Sequence, residues 1–194
     1  MSENDPNQTP ASDSPGSLSV PYAQIVLVEP EIPNNTGNIG RTCVTMGLGL
    51  QLVHPLGFDI DEKACRRAGL DYWPRLHLRE HADLECYERD RPREAGLWLF
   101  SSKATQTIYE ADMRAGDHLV FGRESAGLPA GFVDRHRDRC VSIPMQPGER
   151  SLNLSTCVGI AGGELVRKMI GSRRLGIDED GRLRSAIYPY RTPE

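Results

Sequence analysis

Five short, largely apolar runs punctuate the chain, at residues 24–28, 48–53, 97–100, 119–121 and 141–143. Each is continuous rather than alternating. A strand exposed on one face alternates apolar and polar residues, whereas one covered on both faces does not. The runs therefore predict buried strands of a parallel sheet. Helical spacing falls between them. Residues 38–46 stop at Gly47, which suits a helix C-terminus. Residues 60–68 stop at Gly69, and residues 82–89 form a more polar candidate. Residues 153–170 set Leu154, Val158, Ala161, Leu165 and Met169 on one face. Strands alternating with helices predict an α/β fold, a parallel sheet flanked by helices.

The ends differ from the middle. Residues 1–20 are rich in Ser, Pro, Asn and Asp and almost free of apolar side chains, so they read as a disordered N-terminal tail. Residues 21–170 read as the folded domain. Residues 171–194, polar and Arg-rich with Asp180-Gly181 as a turn, read as a C-terminal extension.

Composition narrows the class. The chain has 194 residues, 38% apolar and 26% charged, which suits one soluble domain with a real core. No apolar run approaches the ~20 residues that span a bilayer, so no membrane partner is expected. No basic start leads into an apolar leader, and a cytoplasmic protein is expected. The five cysteines are odd in number and lack C-x-x-C spacing, which argues for reduced thiols and against a zinc site. His77 and His81 are four apart without a third ligand and read as surface residues; no metal is expected. The net charge is −4, and Glu3, Asp5 and Asp13 stand in the first twenty residues without Lys or Arg. RNA contact needs only one basic face. Arg66-Arg67 with Arg75, and Arg167-Lys168 with Arg173-Arg174, could form one or could be ordinary solvated surface.

Three segments carry candidate chemistry. In residues 29–42 a polar loop enters a helix. Thr36 and Asn38 suit a cap, the helix start could bind phosphate, and Arg41 on the first turns could grip one with two hydrogen bonds. A capped helix with a surface arginine is the plain alternative. Gly37-Asn38-Ile39-Gly40 also fits the short G-x-x-G loop of KH modules, while the G-x-G-x-x-G of dinucleotide-binding turns is absent. In residues 119–129 a strand stops at Gly122, where backbone can approach a ligand, and Glu124 follows; an ordinary turn has the same look. In residues 143–155 a Pro/Gly-rich loop enters the long helix. Ser151 and Asn153 both suit its cap, which accounts for one of them and not both.

Taken in order, Asn35-Thr36-Gly37-Asn38-Ile39-Gly40-Arg41-Thr42, Phe121-Gly122-Arg123-Glu124-Ser125-Ala126-Gly127-Leu128-Pro129, Ile143-Pro144-Met145 and Arg150-Ser151-Leu152-Asn153-Leu154-Ser155 resemble the three motifs of the SPOUT RNA methyltransferases. The resemblance runs over residues 23–170. It is strongest to small members without an added RNA-binding domain, which methylate the 2′-hydroxyl of the wobble cytidine or uridine, nucleotide 34, of bacterial tRNA-Leu. Glu29-Pro30-Glu31-Ile32-Pro33 and Arg66-Arg67-Ala68-Gly69-Leu70-Asp71-Tyr72 resemble that subgroup too.

The resemblance implies a parallel sheet with a C-terminal trefoil knot, whose loops bind S-adenosylmethionine in a bent shape and release S-adenosylhomocysteine. It implies tRNA as substrate and a homodimer, with Arg41 reaching the cofactor held by the partner and the 153–170 helix as a candidate for the interface, its apolar stripe fitting either core or dimer. By motif, Phe100, Ser101, Gly122, Ile143, Met145, Ser151 and Leu152 bind the cofactor. Arg41, Glu124, Ser151 and Asn153 are the catalytic set. Arg41 would hold the neighbouring phosphate and stabilise charge on the 2′-oxygen. Glu124 would orient Arg41 or the ribose, and Ser151 and Asn153 would fix the catalytic loop. Close relatives often carry an aromatic residue before the glutamate of the last helix. Here Gly162-Gly163 precede Glu164, which is read as allowing close packing across the dimer. The alternatives are methylation of another tRNA position or of rRNA, and a non-catalytic RNA-binding protein, which need not retain all four catalytic residues.

Overall fold

The computed structural model describes residues 20–58 and 71–185. Its centre is a six-stranded sheet made of β1 (Gln24–Val28), β2 (Gly49–Val53), β3 (Leu78–His81), β4 (Leu97–Phe100), β5 (His118–Phe121) and β6 (Cys140–Val141). The order is β3-β2-β1-β5-β4-β6, and every pairing is parallel. The five predicted runs fall on β1, β2, β4, β5 and β6, coinciding at β1 and β4 and shifted at an end by one or two residues at β2, β5 and β6.

Their continuous hydrophobicity has a direct cause. Successive side chains enter opposite layers of core. Ile25, Leu27, Leu50, Leu52, Leu119 and Phe121 face one layer, while Val26, Val28, Val53, Leu99 and Val120 face the other. β3 carried no such signal. It is an edge strand with Arg79 and Glu80 exposed, so no apolar run betrays it.

Helix α1 (Pro33–Met46) begins five residues before the predicted start. Pro33 supplies a preset φ at the first helical position, and Ile32 before it is extended, as a residue preceding proline prefers (φ −111°, ψ 110°). Thr36 and Asn38 are consequently inside the helix and cap nothing, and Arg41 lies on its third turn. The run Asn-Asn-Thr-Gly-Asn, poor in helix formers, concealed this. Gly47 ends α1 in the left-handed conformation, as expected.

Helix α2 (Leu84–Asp90) is capped by Asp83, whose carboxylate accepts from Cys86 N at 2.7 Å. The short α3 (Ala130–Arg135) follows the loop after β5. Helix α4 (Leu154–Gly171) packs on α1 and covers the first core layer with Val158, Ala161, Leu165 and Met169. A Cβ on Gly162 would sit 3.0 Å from Met46 Sδ and 3.3 Å from Leu48 Cδ1. That glycine therefore admits the end of α1 within one chain, where packing across a dimer had been the expectation.

Beyond α4, β7 (Leu175–Ile177) and β8 (Leu183–Ser185) pair antiparallel around a turn with Gly181 at φ 76°. Leu175 is buried against the first core layer. The predicted helix at 60–68, residues 1–19, Cys65 and the Arg66-Arg67 pair lie outside the described residues. Among the described residues no helix is long and apolar enough to cross a membrane, and Cys43, Cys86, Cys140 and Cys157 are free thiols.

Candidate active site

In a parallel sheet the carboxyl ends of all strands share one edge. Here strand order reverses between β1 and β5, the place where open α/β sheets form a crevice. Loops after β4, β5 and β6 converge there on a cleft of about 980 Å³, at the upper end of the ~300–1,000 Å³ usual for small-molecule sites. Phe100, Ser101, Gly122, Ile143, Met145, Ser151 and Leu152 all line it, and so do Glu124 and Asn153. The rings of Phe100 and Phe121 stack at 4.3 Å and 20° beside it. Ile32 and Leu152, 43% and 38% exposed, stand in its wall, and exposed aliphatic side chains gathered at one cleft mark a binding surface.

The loop after β5 depends on two glycines for different reasons. At Gly122 a Cβ would lie 2.1 Å from the Gly127 carbonyl carbon and 2.2 Å from Leu128 N, so no larger residue fits. Gly127 has φ 73°, a conformation glycine adopts without strain. Two backbone bonds close the loop, Arg123 N to Gly127 O at 3.1 Å and Gly127 N to Arg123 O at 2.9 Å.

One chain of hydrogen bonds ties the three motif segments together. Glu124 Oε2 accepts from Glu31 N at 2.8 Å, and its Oε1 accepts from Asn35 Nδ2 at 2.9 Å. Asn35 Oδ1 accepts from Asn153 Nδ2 at 2.9 Å. Asn153 Oδ1 in turn caps α4, accepting from Ser155 N at 2.9 Å and Thr156 N at 3.4 Å. The Glu31 carboxylate accepts from Ser125 N and Oγ at 2.9 and 2.8 Å, and Arg123 pairs with Glu29. Glu29 holds φ 52°, unusual for a residue with a side chain and typical of strained positions near sites.

Asn35 is the hub, buried in the third position of α1, and the sequence reading did not single it out. Its signal was a polar residue on the core side of a helix, legible only once the helix starts at Pro33. Capping falls to Asn153, which leaves the Ser151 hydroxyl for the cleft.

Arg41 is the residue the fold does not bring into this cleft. It is exposed, its guanidinium lies 5.1 Å over the Tyr72 ring, and its carbonyl accepts from Thr45 Oγ1. Glu124 accepts from Glu31 N and Asn35, and among the described residues no arginine of the same chain pairs with it.

Other sequence candidates resolve as structure. His81 is buried, not a surface residue, and bonds Gln51 Oε1 at 2.9 Å. Buried His118 bonds Tyr87 Oη at 3.0 Å, and desolvation followed by nearby Arg91 lowers its pKa to about 4. In the basic cluster on α4, Arg167 and Lys168 both pair with Glu164, at 2.7 and 3.2 Å, and hydrogen bonding to Arg167 holds that carboxyl below its ordinary range. Among the described residues no group of three His, Cys, Asp or Glu side chains could hold a metal ion.

Comparison with known proteins gives a consistent picture. The SpoU rRNA Methylase family matches residues 22–162. A tRNA (cytidine(34)-2'-O)-methyltransferase of Saccharophagus degradans is 42% identical over 146 residues, covering 75% of this chain and 94% of that protein. A protein of the same description from Burkholderia pseudomallei is 42% identical over 138 residues, covering 70% and 88%. A solved structure from work on "the 2-OH methylation of C/U34 on tRNA" is 42% identical, with a TM-score of 0.72 over 77% of this chain and 97% of that one.

Proposed function

The chain belongs to the SpoU methylase family, and from that premise we propose that it transfers a methyl group from S-adenosylmethionine to the 2′-hydroxyl of nucleotide 34, the wobble cytidine or uridine, of tRNA-Leu. The observation that carries this is the hydrogen-bond chain Glu124–Asn35–Asn153, which holds all three motif segments around one cleft. The match to these relatives covers 94% of the Saccharophagus degradans protein and 97% of the solved C/U34 methylation structure. With tRNA as acceptor, the enzyme works in the cytoplasm.

The cleft suits the cofactor. Phe100, Ile143, Met145 and Leu152 offer apolar faces for an adenine, and the close turn at Gly122 brings backbone donors and acceptors to its edge. Ser101 and Ser151 supply hydroxyls along the wall. Bound there, the cofactor supplies a methyl group on a sulfonium centre and leaves as S-adenosylhomocysteine.

What remains for the protein is alignment and charge. Holding the ribose oxygen in line with the methyl group can supply up to ~7–11 kcal/mol in ideal systems. Glu124, fixed from two sides by Glu31 N and Asn35, presents a rigid carboxylate to the ribose. Arginine stays protonated in proteins, so Arg41 is no base. It grips the adjacent phosphate and stabilises the negative charge left on the 2′-oxygen as the hydroxyl proton passes to water, the carbon–sulfur bond breaking as the carbon–oxygen bond forms. Because Arg41 lies outside its own chain's cleft, the active unit is a homodimer in which each protomer lends Arg41 to the other. The C-terminal part threads into a trefoil knot. Its support is that β6 sits beside β4 at one sheet edge, while α4 returns to pack on α1.

Labelled-methyl transfer to bulk tRNA, with rRNA as competing acceptor, tests the reaction. Mixing Arg41→Ala with Met145→Arg tests the shared site: re-equilibrated dimers regain about a quarter of wild-type activity if each site needs both chains. No recovery would reject the shared site.

A further inference from the structure

We propose that Tyr72 is a positioning residue for Arg41, its ring holding the guanidinium in place while its N–H groups remain available to RNA oxygens. This rests on the role given to Arg41 above, and nothing in the three motifs contains Tyr72.

The geometry starts with where Tyr72 is pinned. It is buried at 3% exposure, and its hydroxyl donates to the Gly37 carbonyl at 2.5 Å, one turn of α1 before Arg41. The neighbouring short helical turn (Trp73–Arg75) presses on the same stretch. A Cβ on Gly40 would lie 3.0 Å from Trp73 Cζ3, 3.3 Å from Leu76 Cδ2 and 3.4 Å from Tyr72 Cε2. The Gly37–Gly40 stretch of α1 is therefore held against Tyr72 and Trp73, and Arg41 emerges at the edge of that contact. Its guanidinium carbon sits 5.1 Å from the Tyr72 ring centroid.

The kind of contact decides what Arg41 can do. Arg79, Arg123, Arg135 and Arg167 each give N–H groups to a carboxylate. The Arg41 guanidinium has no carboxylate partner among the described residues. A guanidinium carbon held over a ring gives up no N–H to it, so the planar fork of donors stays uncommitted. A carboxylate would occupy the fork and cancel the charge. The aromatic platform thus limits the rotamers of Arg41 before RNA arrives while leaving its charge and donors unused, so less freedom is lost on binding.

The test uses the full-length dimer with four variants: Tyr72→Phe, Tyr72→Leu, Arg41→Ala and the Tyr72→Leu/Arg41→Ala double variant. Single-turnover methyl transfer to tRNA, S-adenosylmethionine affinity by calorimetry, and Tm are measured on each. Tyr72→Phe keeps the ring and should stay within about twofold of wild type. Tyr72→Leu should slow transfer about 3- to 30-fold, the span of a cation–π contact, with cofactor affinity unchanged. It should cause no further slowing when Arg41 is already alanine. Equal slowing in both backgrounds, or a loss in Tyr72→Phe as large as in Tyr72→Leu, would overturn the proposal and leave Tyr72 a packing residue. If Tyr72→Leu does not fold, Tyr72→Met, which fills more of the volume without a ring, carries the same comparison. Tyr72→Leu at full speed while Arg41→Ala is strongly slowed defeats only this inference. Full activity in Arg41→Ala defeats the site reading beneath it.

Discussion

Replacing Asn35 by Asp swaps one NH2 for an oxygen at the hub of the site. In the wild type, Asn35 Nδ2 donates to Glu124 Oε1 at 2.9 Å. In Asn35→Asp two acceptors face each other, and the pair must either repel or share a proton. Two charges ~4 Å apart at an effective dielectric of ~20 repel by about 4 kcal/mol. Protonating one carboxyl at pH 7.5 costs a similar amount, about 1.4 kcal/mol for each unit above its ordinary pKa near 4. Glu124 is only partly buried, so solvent screening brings the expected loss of stability to about 2–4 kcal/mol. The sign of the pH dependence follows from linkage. Like charges raise the pair's folded pKa above its unfolded value, so the deficit grows as pH rises through that folded pKa and shrinks on acidification. Asn35→Ala is the control. It breaks the Glu124–Asn35–Asn153 chain at a cost of about 1–3 kcal/mol but adds no charge. Denaturant unfolding of wild type, Asn35→Asp and Asn35→Ala at pH 7.5, 6.5 and 5.5 reads both terms, and the difference between the two variants removes any common titration. Asn35→Asp should be the less stable at pH 7.5 and should converge on Asn35→Ala by pH 5.5. Equal stability at pH 7.5, or a gap that does not close, would refute the hub geometry.

Gly122→Ala should cost about 5- to 150-fold in S-adenosylmethionine affinity by calorimetry, because relieving the clash opens the two backbone bonds of the 122–128 turn, each worth ~0.5–1.5 kcal/mol; unchanged affinity would contradict the cofactor placement. Buried His118, with its folded pKa near 4 and an unfolded value of 6.5, stays neutral while the unfolded chain takes up a proton. Its contribution is intact above pH 6.5 and is lost as pH falls toward 4, amounting to about 2 kcal/mol by pH 5. An NMR titration placing the His118 midpoint above 6 would rule this out.

Much of this fold is legible in the sequence alone. The five apolar runs became strands because each strand lies between two core layers, and that requirement is written into every residue of 25–28 and 119–121. β3 escaped notice because an edge strand with Arg79 and Glu80 exposed need not be apolar. The start of α1 was misplaced because Asn34 to Asn38 look like a loop, and only the proline preset and the packing of Asn35 against the motif loops make them helical. Misplacing that start also hid Asn35 among capping residues. Glu124 and Asn153 were found by residue type and place, yet the bonds they make depend on three segments about 90 and 118 residues apart meeting at one edge, which no local pattern encodes. The same limit applies to Gly162, whose tight neighbour proved to be α1 of its own chain.

The central claim is the position of the transferred methyl group. Bulk tRNA from cells lacking wobble 2′-O-methyltransferase activity, incubated with the protein and isotopically labelled S-adenosylmethionine, can be digested and mapped by mass spectrometry. The account predicts label on the ribose of nucleotide 34 of tRNA-Leu with wild-type protein and only a small fraction of it with Arg41→Ala. Label confined to another nucleotide, or to rRNA, or label at position 34 undiminished in Arg41→Ala would contradict it.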